Sequence, residues 1–307
     1  MHMNGKSRLD HDHFRFSPLP SRPALKWPGN QRVALCIFLH FEDWSLDLPD
    51  HAVGDPRFSQ VARSASFDYL TRSWFDYGNR IGMSRILDAL DRHRFRVTVA
   101  AGSSATGRYP ELVGEFRARQ YEFAAHGEYA NAMLSSRLSS EDERKFISGC
   151  LDTVEKNCGA RPVGWCGPGF GESSRTPTIL GEAGMLYVAD WSNDDQPYPM
   201  TSGGLISIPY QSGLDDVELV YHRRMLPWNY PPLFLRAFER LHAEGEVSGR
   251  FLGLHIHPWV LGKAYMTVHL EEILAALSRA DGVWSATASD VARHMRDIAF
   301  NGDGAVP

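Results

Sequence analysis

Residues 32–40 read RVALCIFLH, a near-continuous apolar run of strand length. A run of this kind is buried on both faces, as in a parallel sheet covered by helices; a sheet with one wet side would show alternation instead. The rest of the chain supplies the helices. Arg80–Arg92 places Ile81, Ile86, Leu87 and Leu90 on one helical face, and Phe95–Ala101 (FRVTVAA) returns to strand character. Helical segments then follow at Glu111–Arg119, from Ser139 to about Asn157, and at Arg175–Ala183, Pro232–Glu244 and Leu270–Arg279. Strands are expected at Glu122–Ala125, Val163–Cys166, Leu186–Asp190, Leu205–Pro209 and Phe251–His257, with Gly282–Ala286 and Asp290–Arg296 completing the series. Strands separated by helices along the whole chain pair in parallel through right-handed crossovers. Seven or eight such units predict an α/β fold closed into a (β/α)-barrel rather than an open sheet.

At 307 residues the chain is of barrel size, and 43% hydrophobic with 22% charged residues is ordinary globular composition. Residues 1–30 are polar and proline-rich and read as an N-terminal arm, 31–297 as one catalytic barrel domain, and 298–307 as a tail. Phe41–Phe75 lacks periodicity and is rich in Asp, Pro and Ser, so it reads as a long loop, a candidate lid. A net charge of −5 argues against a dedicated nucleic-acid or anionic-membrane binder, and no segment approaches a membrane span of about 18 apolar residues. Met1 to Pro20 has no apolar stretch resembling a signal peptide, and the four cysteines form no CxxC pair. The expected setting is cytoplasmic, with Cys36 a buried thiol and the early histidines His2, His11 and His13 outside any metal site.

In a parallel barrel the site is built where the strands end. The first strand ends in His40-Phe41-Glu42-Asp43-Trp44, the third in His126-Gly127, and the fourth in Trp165-Cys166-Gly167-Pro168-Gly169. The fifth ends in Asp190-Trp191-Ser192-Asn193-Asp194-Asp195 and the seventh in His255-Ile256-His257-Pro258-Trp259. Each element alone has a bland reading: a solvated loop start, a core histidine, a turn. Their convergence on one rim is harder to ascribe to packing. In His255-x-His257, alternation is expected to present only one ring to the mouth. Hydrolysis of an unactivated amide needs a base for water and an acid for the departing nitrogen, and a carboxylate and an imidazole can fill these roles. Trp44, Trp165, Trp191 and Trp259 would wall a pocket for a sugar or flat ring, and their desolvation would raise the pKa of a carboxylate base.

Taken together, these motifs resemble the NodB-type polysaccharide deacetylase superfamily over roughly Leu25 to Met295, closest to its cytoplasmic allantoinase-like and cyclic-imide-hydrolase-like branch. The resemblance implies a distorted (β/α)-barrel with about seven parallel strands. The superfamily's paired aspartates, a base followed by a metal ligand, correspond to Glu42 and Asp43. His126 fills the first of its two histidine ligands; Ala130 stands at the second, followed by Asn131. The arginine-bearing third motif appears as Cys166–Phe170 without arginine, and the late histidine, which carries the leaving-group proton, corresponds to His257.

The expected function is hydrolysis of a non-peptide C–N amide bond (an imide, ureide or N-acyl group) in a soluble metabolite, with Glu42 as base and His257 as acid. Trp44, Trp165, Pro168, Gly169, Trp191, Asp194 and Trp259 are the candidate substrate-binding residues. If Zn²⁺ is bound, the candidate ligands are Asp43, His126 and Asn131, the last a weak donor because its amide oxygen is neutral. The alternatives are a zinc-dependent carbohydrate N-deacetylase and a non-catalytic sugar- or metabolite-binding barrel. Relatives in the cytoplasmic branch assemble as homo-oligomers, and Trp74-Phe75 and Trp228–Pro231 are candidate interface segments.

Overall fold

The computed structural model describes residues 11–48, 52 and 69–301. In chain order the strands are β1 (Val33–Phe41), β2 (Val97–Ala101), β3 (Glu122–Ala125), β4 (Gly164–Trp165), β5 (Tyr187–Val188), β6 (Tyr198–Pro199), β7 (Ile206–Ser207), β8 (Arg250–Ile256) and β9 (Val283–Ser285). The helices are α1 (Tyr69–Tyr77), α2 (Met83–His93), α3 (Ser103–Arg108), α4 (Pro110–Ala118), α5 (Ser140–Cys158), α6 (Thr176–Glu182), α7 (Tyr230–Glu244), α8 (Pro258–Leu261), α9 (Ala264–Arg279) and α10 (Ala288–Asn301).

β1 is buried at every position and is the hub of the sheet. One edge pairs in parallel with β8, from Val33↔Arg250 to Leu39↔Ile256. The other edge is divided, its first half pairing with β9 and its second with β2. The sheet continues β2-β3-β4-β5-β7 in parallel and ends in β6, the one antiparallel member. The result is a curled, mixed sheet, consistent with the distorted barrel expected. Between β7 and β8 the Gln211 side chain acts as a piece of strand: its amide nitrogen donates to the Phe251 carbonyl and its oxygen accepts from Gly253 N–H.

The two faces of β1 have separate cores. Val33, Leu35, Ile37, Leu39 and Phe41 face outward under α2, α7 and α9. Ala34, Cys36 and Phe38 face inward, where Phe251, Cys166 and Tyr187 meet them, and Trp27 and α10 pack against the same interior. Cys36 is a buried free thiol, as are the other three cysteines.

The helix expected from Arg80 begins at Tyr69, inside the stretch read as loop, and runs through a π-helical turn at Gly78–Gly82 into α2. Residues 49–51 and 53–68 of that loop, His2 of the arm and 302–307 of the tail lie outside the described residues. The π turn inserts an extra residue and rotates Ile81 off the apolar stripe, leaving it 45% exposed while Met83, Ile86, Leu87 and Leu90 are buried. α5 starts as its sequence suggests: the Ser139 hydroxyl accepts from Asp142 N–H, and Gly159 ends the helix at φ +81°. No helix among the described residues is long and apolar enough to cross a membrane. Of the candidate interface residues, Trp74 and Trp228 are exposed, and Phe75 and Tyr230 are buried.

Candidate active site

Period-two alternation decides what β1 and β8 deliver. With Ala34, Cys36 and Phe38 inward, His40 and Glu42 follow on the same side, whereas Asp43 points the other way. On β8, Leu252, Leu254 and Ile256 face outward, so His255 and His257 both face inward. The expectation of a single inward ring was mistaken, because residues two apart on a strand share a face. Both rings in fact contact His40: His257 stacks on it with centroids 3.8 Å apart, and His255 Nδ1 lies 3.0 Å from His40 Nε2.

Glu42 sits at the centre of this imidazole group. Its Oε1 is 3.3 Å from His126 Nε2, 3.8 Å from His257 Nε2 and 3.9 Å from His40 Nδ1. His126 Nδ1 is 2.5 Å from the Cys166 carbonyl, which can only accept, so that nitrogen carries the hydrogen and Nε2 is turned to Glu42. Gly127 (φ +62°) permits the bend after His126: a Cβ there would meet Pro168 Cγ at 2.8 Å. His257 is fixed by Asp216, which accepts from the ring Nδ1–H at 2.5 Å and from the backbone N–H at 2.9 Å. Asp216 went unnoticed in the sequence reading. Its one signal was a second acidic pair, Asp215-Asp216, immediately before the apolar Val217 and Leu219.

The charges follow from these contacts. Burial works to raise the Glu42 pKa, but the His257 charge, the His126 hydrogen bond and the Trp259 indole together outweigh it, so the carboxyl lies below its ordinary value. This reverses the expectation that aromatic walls would raise it. Burial depresses the His257 pKa, but the Asp216 and Glu42 charges outweigh it and push the ring to about 9. His255, desolvated beside His257 and His126, is held well below the usual histidine value and stays neutral. Near neutral pH the centre therefore holds a carboxylate facing an imidazolium, a base and an acid.

The loop bearing His257 is seated by glycines. Cβ atoms at Gly78 and Gly82 would meet Trp259 N at 2.7 Å and the Pro258 carbonyl oxygen at 2.2 Å, and one at Gly262 would meet the same oxygen at 2.3 Å. Trp44 stacks on Phe75 (3.6 Å) and lies edge-on to Trp259 (6.2 Å), so two of the four tryptophans share one aromatic cluster. Trp165 is fully buried in a separate core cluster. Trp191 donates to Glu172 and packs against His11, His13 and Phe14 of the arm. Asp194 holds Arg22 through two short contacts and accepts from Asp195 and Gln196 N–H, so it ties the arm to the barrel. Pro168 is buried against Gly127, and Gly169 (φ +57°) turns the chain so that Phe170 stacks on Tyr210 (3.5 Å) beside His255.

The expected ligand set does not assemble. Asp43 accepts from Arg72 (2.6 Å) and Ser104 (2.6 Å), with Arg108 at 3.3 Å. Asn131 spends both ends of its amide on the Ser45 backbone. The donors that do converge with His126 are His40 and Glu42, all three buried with ligand atoms within 4.8 Å of one another. Two imidazoles and a carboxylate form a set that zinc accepts, and ligands about 2.1 Å from a tetrahedral ion stand roughly 3.4 Å apart, near the spacing seen. These three residues fit a metal; Asp43 and Asn131 do not.

Residues 69–188 match the polysaccharide deacetylase family model. A Schizosaccharomyces pombe protein provisionally described as a polysaccharide deacetylase is 23% identical, covering 90% of this chain and 93% of its own. Among solved structures, the PuuE allantoinase superposes with a TM-score of 0.81 at 21% identity, covering 98% of this chain and 100% of that one. A provisional polysaccharide deacetylase from Pseudomonas aeruginosa superposes at 0.77 with 24% identity, covering 92% and 97%. The resemblance and the fold read from the sequence are thus borne out. The deacetylase family model over residues 69–188 is in keeping with the expected class, a hydrolase of C–N bonds other than peptide bonds.

Proposed function

For a chain that carries a polysaccharide deacetylase domain over residues 69–188, we propose hydrolysis of an imide, ureide or N-acyl bond in a soluble metabolite, driven by Glu42 and His257. The observation that carries this reading is the Glu42–His257 pair, 3.8 Å apart, with the carboxyl pKa held down and the imidazole raised to about 9. Glu42 takes a proton from water as the water oxygen attacks the substrate carbonyl carbon. His257, protonated and aligned by Asp216, gives its Nε2 proton to the departing nitrogen as the C–N bond breaks. The products are an acid and the freed nitrogen compound, an amide from an imide, a urea from a ureide or an amine from an N-acyl group, and the Glu42 proton returns to His257 or to solvent. Trp259 supports the carboxylate, and Trp44, Phe75 and Trp259 supply the apolar wall.

A second reading rests on the His40–Glu42–His126 trio. Those side chains would hold Zn²⁺, and the bound ion would polarise the scissile carbonyl; this is the zinc-dependent carbohydrate N-deacetylase alternative. Metal analysis and calorimetric Zn²⁺ titration separate the two, because only the second needs stoichiometric zinc. A panel of cyclic imides, ureides and N-acetylated sugars, assayed with and without chelator, tests the activity. Turnover in chelator supports the first reading. No hydrolysis of any member would leave the non-catalytic binding barrel, and an unchanged rate in both Glu42→Gln and His257→Gln would overturn the Glu42–His257 mechanism. The proposal includes a cytoplasmic setting and a homo-oligomer using the Trp74 and Trp228 surfaces.

A further inference from the structure

Behind Trp259 lies a cleft of about 270 Å³ that the hydrolytic mechanism does not use. Its wall includes Tyr221, Arg224, Trp259, Lys263, Tyr265 and Met266, and among the described residues no carboxylate lines it. Among the described residues neither Arg224 nor Lys263 has an ion-pair partner, although the neighbouring Arg223 is paired with Glu218. Burial lowers the Lys263 ammonium below the usual lysine value, the mark of a cation withdrawn from water. Lys263 is also the N-cap of α9, which has no side-chain cap and no acidic residue in its first turn, so the positive end of that helix faces the same region. Arg224 sits at φ +51°, a conformation a non-glycine residue adopts at some expense, just beyond the Arg223 cap of a π-helical segment (Val217–His222). The Tyr221 ring stands edge-on to Trp259 at 5.0 Å, which gives the cleft an aromatic side.

We propose that this cleft is a binding site for a small organic anion, a carboxylate on a flat or apolar body, held by Arg224, Lys263 and the start of α9 with its body against Tyr221 and Trp259. Two cations without counter-charges beside an aromatic wall select such a molecule over a neutral one. The site is one indole away from the hydrolytic centre, since the Trp259 that lines it also supports the Glu42 carboxylate.

The test is calorimetric titration of benzoate and of benzamide into full-length Glu42→Gln protein, which reports binding without turnover. Its failure therefore leaves the hydrolase reading untouched. One benzoate should bind per chain, benzamide should not bind, and Lys263→Met and Arg224→Gln should each weaken benzoate by about tenfold, a lost charge contact of ordinary size. Lys263→Arg and Arg224→Lys, which keep the charge, should restore binding to within about threefold. Circular dichroism and melting curves check that each variant is folded. Absence of benzoate binding would overturn the proposal. So would binding that survives Lys263→Met and Arg224→Gln but is lost in His257→Gln, which would put the anion at the hydrolytic centre.

Discussion

The barrel has two unlike halves. On one side β8, β1, β2 and β3 form ladders of four to nine residues, and their carboxyl ends deliver His257, His40, Glu42 and His126. On the other, β4, β5, β6 and β7 are two-residue strands, and side chains take over what a ladder would do. Gln211 spans to β8, Asp190 accepts from Gly167 N–H at 2.7 Å, and Asp194 grips Arg22. The chemistry sits on the half whose backbone is fixed by many cooperative bonds. Substitutions in the long half should therefore register in rate, and those in the short half in stability.

The largest effect is expected for Glu42→Gln: a fall in kcat of about 10²–10⁴-fold, the usual range for a lost general base, in steady-state assays on the best substrate of the panel. Near-wild-type turnover would break the contrast between the halves. Asp216→Asn comes next, with kcat down about 10²-fold, and it carries a pH signature. His257 must be protonated to act as acid, so wild-type activity should hold through neutrality and fall as pH rises through about 9. Without the Asp216 charge the imidazole pKa drops, and that falling limb should move toward the unperturbed histidine value, about 6.5. A limb that stays in place would show that Asp216 does not set the charge of His257.

Gln211→Ala should leave kcat within a few-fold but lower unfolding free energy by about 1–3 kcal/mol in urea titrations, because it strands the Phe251 carbonyl and the Gly253 amide. A rate loss larger than the stability loss would blur the division. The smallest effect concerns Glu172, whose carboxyl is raised to about 7 chiefly by burial and faces Asp190, itself raised by burial and by Glu172. A carboxyl that binds its proton more tightly when folded stabilises the protein at low pH. That contribution is lost as pH rises from about 4.5 through about 7. Glu172→Gln should flatten this slope when stability is compared at pH 5 and pH 8.

The long half was the more legible in the sequence. RVALCIFLH announced β1, because burial on both faces leaves a strong apolar signal. The short half was legible only as apolar patches, since a two-residue strand carries too few positions for alternation to show. Within the site, Glu42, His126 and His257 stood at strand ends where the barrel rule looks for them. Asp216 did not: it lies on the segment before a π-helical turn, and no periodicity predicts that such a segment folds back onto His257. Asp43 was misread for a different reason. The metal-ligand role came to it from the superfamily's second aspartate, whereas the alternation that turns Glu42 inward turns Asp43 toward Arg72 and Arg108.

Gly78, Gly82 and Gly262 meet the Pro258–Trp259 backbone with no side chain between them. Packed side chains can absorb a small displacement by changing rotamer, but bare main chain against main chain has no such slack. A shift of the helix that begins at Tyr69 is therefore passed at nearly full amplitude to the residue beside His257. The stiffness of that joint makes the acid's aim a property of two segments about 180 positions apart in the chain, and a single methyl group at Gly82 would throw it off.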